Sequence, residues 1–227
     1  MLKPESHYVT AVEKLVHIPA DDVYLEGKLD LPENASSLVL FAHGNGSSRH
    51  SPRNNYVAQV LRDNGIGTLL MDLLTAEEDM HYQTRFDISL LTRRLLAATR
   101  WVTSEAVTHK LPLGYFGAST GAAAALQAAA VLGFEIGAVV SRGGRPDLAG
   151  QDFLASVKSP TLLLVGGRDD VVITLNRDAY NLMHSKKEIS IIPGATHLFE
   201  EAGTLEEVAY QASAWFLQYL KSPQITS

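Results

Sequence analysis

Cysteine is absent from this chain, which removes disulfides, thiolate nucleophiles and cysteine metal sites together. Any covalent chemistry must run through oxygen or nitrogen. Excess positive charge is missing too. The formal net charge of −6 offers no general attraction to a phosphate backbone, and basic pairs such as Arg93 and Arg94 stand isolated within expected structure. Nucleic acid is therefore not an expected partner. Long apolar runs are also lacking. The N-terminal "MLKPESHYVTAVEK" has no apolar signal core, and the stretch from Ala122 to Phe134 is interrupted by Gln127 and too short to span a bilayer. No membrane is expected as a partner, and the cytoplasm is the expected location. Nor is there an H-E-x-x-H or comparable ligand cluster, so the reading calls for no metal and no cofactor.

What is present describes an ordinary globular protein. With 46% hydrophobic and 19% charged residues, the 227-residue chain can bury a substantial core, and one α/β domain over residues 1–227 is the expected organisation. "EKLVHIPA" and "VYLEGKLDLP" roughly alternate apolar and polar residues around the turn formers "ADD", the pattern of a leading β-hairpin. The pattern then changes. "SSLVLFAH", "IGTLLMDLL", "LPLGYFGA", "IGAVVSRGG", "SPTLLLVGG" and "EISIIPGA" are short apolar runs without alternation, as expected of strands buried on both faces.

Helical patterns separate these runs. Ser51 can cap a helix that has Pro52 in its first turn, and Gly65 stands where that helix should stop. Ile88, Leu91, Leu95, Ala98 and Val102 follow helical spacing, as do Leu205, Val208, Ala212, Trp215 and Tyr219. Thr204 with Glu207 has the form of a capping box. Strands alternating with helices imply a mostly parallel central sheet with helices on both faces. In such sheets ligands bind beyond the carboxyl ends of the strands.

Four loops at those ends carry unusual residues. Gly117 to Gly121, "GASTG", fits G-x-S-x-G between a strand and a helix, where flanking glycines allow close approach and lift the Ser119 hydroxyl above the sheet. A serine hydroxyl needs a base, and the base needs an orienting partner. His197, in "PGATHLFEE", follows a strand within a Gly-containing loop. Asp169, in "LLLVGGRDDVV", lies just beyond another strand, with Asp170 as its competitor. The fourth loop, "FAHGNGSSRHSPRN", can converge backbone N–H groups on a developing oxyanion. The donors assigned are the N–H groups of Asn45 and Thr120. His43 is read chiefly as the residue that shapes this loop, and it stays on the list of substrate contacts.

"HGNG", "GASTG", "GGRDDVV" and "GATHLFEE", in this order between Leu38 and Glu201, resemble the α/β-hydrolase superfamily, specifically its small dienelactone hydrolase-like branch. That resemblance implies Ser119 as nucleophile, Asp169 as acid and His197 as base, in agreement with the residue-level reading. Dienelactone hydrolase proper uses a cysteine nucleophile, and this chain has none. The fold carries over, but the dienelactone substrate does not. The function implied is a serine hydrolase of esterase or lactonase type, acting on a small ester or related acyl substrate through a covalent acyl-enzyme. Between Ser141 and Pro160 there is room for a turn and a short helix, so no large lid domain is expected. The site is open, or covered by the loop from Leu74 to Phe86.

Two other functions fit less well. A non-catalytic ligand-binding protein on this fold would have lost a triad member, and none is lost. A phosphate- or nucleotide-binding protein using "HGNGSSRH" would need the Gly-Lys-Ser/Thr of a P-loop or the remaining Rossmann glycine. Substrate charge stays open. Arg142 and Arg145 follow the sixth strand, and Arg49 and Arg53 flank the oxyanion loop. Either they pair with carboxylates such as Asp147, or one or two of them hold a substrate carboxylate, with Arg142 nearest its strand end. Oligomeric state is not legible.

Overall fold

Alternating burial along Val12–Ala20 (β1) and Val23–Leu31 (β2) folds these segments into an antiparallel hairpin, turned at Asp21 with a φ of 56°. The computed structural model describes residues 11–221. The outer ends of the expected 1–227 domain, including most of the N-terminal segment read for a signal core, lie outside the described residues.

The six non-alternating runs become Ser37–Ala42 (β3), Ile66–Met71 (β4), Leu113–Ala118 (β5), Ile136–Arg142 (β6), Thr161–Gly166 (β7) and Lys187–Ile192 (β8). The eight strands form one sheet in the order β1-β2-β4-β3-β5-β6-β7-β8. β2 meets β4 antiparallel, and every pairing from β4 through β8 is parallel. β3, β4, β5 and β7 are buried along their whole length, which is why their sequences show no alternation.

Helices cover both faces. Pro52–Asp63 (α1) and Thr204–Tyr219 (α7) lie on one, where Val57, Leu61 and Phe216 pack with Phe41, Phe116 and Val140. Ile88–Ser104 (α3) and Thr120–Leu132 (α4) lie on the other, where Leu95, Ala98, Ala124 and Leu126 pack with Leu40, Tyr115 and Val139. Gln151–Ser156 (α5) and Asp170–Leu182 (α6) extend that second layer through Leu154 and Ala179. Ala76–Asp79 (α2) is a single turn within the 74–86 segment. The short α5 is the helix in the 141–160 insertion, and no lid domain is present among the described residues. None of the described helices is long and apolar enough to cross a membrane.

The cap signals are kept in one place and moved in another. Ser51 Oγ accepts from the Asn54 N–H, Pro52 opens α1, and Gly65 follows its end at a φ of 77°. The capping box read at Thr204 is not formed. Gly203, at a φ of 81°, takes the cap position, so Thr204 falls inside the first turn and its hydroxyl donates to the Glu201 carbonyl at 2.7 Å. A true capping box closes α2 instead, where Thr75 Oγ1 accepts from Glu78 N–H and the Glu78 carboxylate accepts from Thr75 N–H.

α4 crosses the ends of β3 and β5 at backbone contact. A Cβ at Gly121 would lie 2.1 Å from the Ala42 carbonyl oxygen and 2.4 Å from that of His43, and one at Gly117 would lie 2.5 Å from Ala122 Cα. No rotamer relieves a clash with backbone. Gly121→Ala should therefore cost more than about 3 kcal/mol in urea unfolding, whereas Gly133→Ala, strained in φ but open in space, should cost about 1 kcal/mol. Equal midpoints for the two variants would contradict the packing argument.

Candidate active site

The tight crossing forces a sharp reversal between β5 and α4, and Ser119 takes it at φ 49° and ψ −120°. For a residue with a Cβ this conformation is strained, and it is held from both sides. The Ser119 N–H donates to the Arg142 carbonyl at the end of β6, while the Ser119 carbonyl accepts from the N–H groups of Ala122 and Arg145. The hydroxyl is left half-buried above the sheet.

His197 reaches the same edge from the loop after β8. That loop is fixed by the Arg168 N–H on the Ala195 carbonyl and by the Thr196 N–H on the Glu201 carboxylate, which holds the Glu201 carboxyl below the usual range. A Cβ on Gly143 would touch the His197 carbonyl at 3.1 Å and its ring Cε1 at 3.6 Å. Gly143 directly follows Arg142, whose carbonyl anchors Ser119. The structure thus brings Ser119 and His197 to one place, although no hydrogen bond joins them here. In unliganded sites such contacts are often long and tighten on substrate binding.

Asp169 completes the cluster. Its Oδ2 lies 2.6 Å from His197 Nδ1, so the ring donates from Nδ1 and presents Nε2 as an acceptor. Of the two adjacent aspartates, Asp170 opens α6 and points into solvent, and Asp169 is the one that reaches His197.

The loop after β3, expected to supply oxyanion donors, differs from that expectation in one contact. Gly44 lies against the elbow, where a Cβ would come within 2.9 Å of Ser119 Cβ. The next N–H, of Asn45, donates to Thr120 Oγ1 at 2.9 Å. The side chain of Thr120 is therefore part of the site, a role the sequence reading gave to its backbone alone. The Thr120 N–H has no acceptor among the described residues.

His43 shapes this loop. Its Nδ1–H donates to the Gly44 carbonyl at 2.9 Å, and its Nε2 accepts from the Leu73 N–H at 3.0 Å. Those two bonds require the neutral ring. Burial pushes its pKa below the ordinary value, against smaller opposing effects from Gly44, Asp72 and Asp79.

The arginines separate into two kinds. Arg49 is bound by Asp72 and by Glu26, Arg53 by Glu200 at 2.9 Å, and Arg145 by both oxygens of Asp147. Among the described residues Arg142 has no carboxylate partner, and its Nε and Nη1 are buried without an acceptor. Burial, with Arg53 nearby, lowers its pKa to about 10, which leaves it charged at neutral pH. A cavity of about 320 Å³ lies beside the loop after β3, walled by His43, Arg49, Asp72 and Leu74. No group of three or more potential metal ligands occurs among the described residues.

No family model matches the chain. It is 52% identical to a dienelactone hydrolase from Anabaena variabilis whose crystal structure superposes with a TM-score of 0.90, over 93% of this chain and 99% of that one. An α/β serine hydrolase without a lid from Xanthomonas campestris shares the fold at 22% identity, with a TM-score of 0.75 over 92% of this chain and 95% of that one. A curated Mycobacterium tuberculosis protein, provisionally named a phosphoribosyl transferase, is 55% identical over 208 residues, which are 92% of this chain and 47% of that protein. The chain spans about half the length of the curated relatives it matches.

The neutral His43 has a measurable consequence. Its folded pKa lies below the unfolded value of 6.5, so its contribution is full above that pH and is lost as pH falls toward the folded value. As pH falls below about 6.5, wild type should lose stability more steeply than His43→Gln, read by urea unfolding at each pH. Parallel pH dependences would show that His43 does not carry this linkage.

Proposed function

The chain belongs to the dienelactone hydrolase-like branch of the α/β-hydrolases, and from that premise we propose that it is a serine hydrolase of small esters or lactones. The observation that carries the proposal is the Asp169–His197 bond of 2.6 Å, which leaves Nε2 as the ring's acceptor, together with a serine held at a φ of 49° at the same edge of the sheet. Ser119 Oγ attacks the substrate carbonyl as His197 Nε2 takes its proton, the new C–O bond pushing an electron pair onto the carbonyl oxygen. Collapse of this intermediate breaks the bond to the leaving alcohol, which takes the proton from His197. Water then repeats the sequence on the acyl-serine. Asp169 keeps the imidazole in the required tautomer and stabilises its protonated form.

The name of the mycobacterial relative concerns a protein of which more than half lies outside the match. Within the shared part, the geometry of "HGNGSSRH" disfavours a phosphate cradle. The N–H groups of Ser47, Arg49, His50 and Ser51 are all engaged by acceptors of the protein itself, and the Arg49 guanidinium is held between two carboxylates.

Arg142 supports an anionic substrate. A buried cation without a partner is costly, and a carboxylate arriving with the ester would offset that cost. We therefore assign Arg142 as the anchor for a carboxylate near the scissile bond, and Arg49 and Arg145 as supports of their loops.

Two sets of measurements test these assignments. Ser119→Ala should abolish fluorophosphonate labelling and lower kcat by at least about a thousandfold with the fold intact, and Asp169→Asn should damage turnover far more than Asp170→Asn. Undiminished turnover in Ser119→Ala would remove the nucleophile assignment. For Arg142→Ala, kcat/KM should fall about tenfold or more for an ester bearing a nearby carboxylate, with little change for a neutral analogue. Equal losses on both esters would reduce Arg142 to a loop support.

A further inference from the structure

The contact between Asn45 and Thr120 sets a chemical problem. An oxyanion needs donors aimed at it, yet the Asn45 N–H is directed at Thr120 Oγ1 at 2.9 Å. A hydroxyl that accepts one hydrogen bond still has a proton to give. No acceptor for the Thr120 hydroxyl proton occurs among the described residues, although the residue is only 2% exposed and a buried donor ordinarily finds a partner. Thr120 also lines, with Gly44, Asn45 and the ion-paired Asp79 and Arg85, a recess of about 10 Å³, roughly the room that one oxygen atom of water size requires.

We propose that the Thr120 hydroxyl is itself an oxyanion donor. It accepts from the Asn45 N–H and donates to the developing negative oxygen, so that the two groups act in series. This deepens the serine-hydrolase reading and rests on it. As Ser119 Oγ bonds to the substrate carbonyl carbon and the carbonyl pair moves onto oxygen, that oxygen meets the Thr120 backbone N–H and the Thr120 O–H. Both protons stay on Thr120, and the one proton transferred is that of Ser119, to His197. The Asn45 N–H polarises the hydroxyl from behind, which strengthens a donor already held in a water-poor recess. Thr120 is thus a catalytic residue through its side chain as well as its backbone, and Asn45 is a positioning residue that acts through it.

The test compares Thr120→Ser and Thr120→Val in the full chain. Each is assayed for kcat and KM on a short neutral ester, for inhibition by a trifluoromethyl ketone that forms a tetrahedral adduct, and for thermal midpoint. Thr120→Val, which keeps the shape and loses the hydroxyl, should lower kcat on the order of a hundredfold with KM little changed, and weaken the ketone in parallel. Thr120→Ser should retain activity to within about threefold. Should the valine variant fail to fold, Thr120→Ala takes its place. The proposal is overturned if the valine variant keeps its kcat, or if the serine variant falls as far as the valine one. It is also overturned if the loss lies in KM and thermal midpoint while the ketone binds as before, because Thr120 would then merely tether the loop. Fluorophosphonate labelling of wild type at Ser119 is measured alongside. Its absence would refute the serine-hydrolase reading instead, and so separates the two failures.

Discussion

One backbone contact governs the site: the start of α4 lies against the carbonyl ends of β3 with no room for a side chain between them. At Gly121 even a methyl group would fall 2.1 Å from the Ala42 oxygen. Because helix and sheet are this close, the chain must reverse within a single residue, and Ser119 takes up the reversal at positive φ. The strain at Ser119 follows from the packing. Two large apolar layers, one on each face of the sheet, hold the crossing in place and so hold the serine above it.

The same crossing brings three loops to one edge. With α4 pressed on β3, the segment after β3 has to pass over the elbow, and Gly44 is the residue that passes. The β6 end anchors the Ser119 N–H, and the glycine after it leaves room for the His197 ring. Asp169 arrives from β7, the strand between β6 and β8. Sheet order therefore explains how an acid and a base that are far apart in sequence meet at 2.6 Å.

Much of this was legible in the sequence because buried strands and the elbow leave compositional marks. Five or six apolar residues without alternation, ending in glycine or a polar residue, identified β3 through β7, and "GASTG" marked the reversal. Spacing could not separate Asp169 from Asp170, since both follow β7; in the structure it is Asp169 Oδ2 that meets His197 Nδ1. Thr204 and Glu207 had the spacing of a capping box, but Gly203 at positive φ moved the helix start by one residue, and spacing carries no information about φ. The arginines show a further limit. Arg49, Arg53 and Arg145 find their carboxylates across loops or strands, at separations no local pattern encodes, apart from the near pair Arg145 and Asp147.

Charge confines what the site can accept. The N–H groups of Ser47, Arg49, His50 and Ser51, in the loop before α1, are engaged internally, and Glu26, Asp72 and Asp79 stand around the adjoining cavity, so an incoming anion meets acidic groups there. The proposed mechanism uses two places for negative charge. One is Thr120, whose backbone N–H has no acceptor among the described residues and lies at the N-terminus of a thirteen-residue helix, so that the dipole adds to it. The other is Arg142, which has no carboxylate partner among the described residues and, although burial and Arg53 lower its pKa to about 10, stays charged at neutral pH. The first suits charge that appears during reaction, and the second suits charge a substrate brings with it. The proposed mechanism needs the two kept apart, because a permanent anion beside Thr120 would compete with the transition state for the same donors.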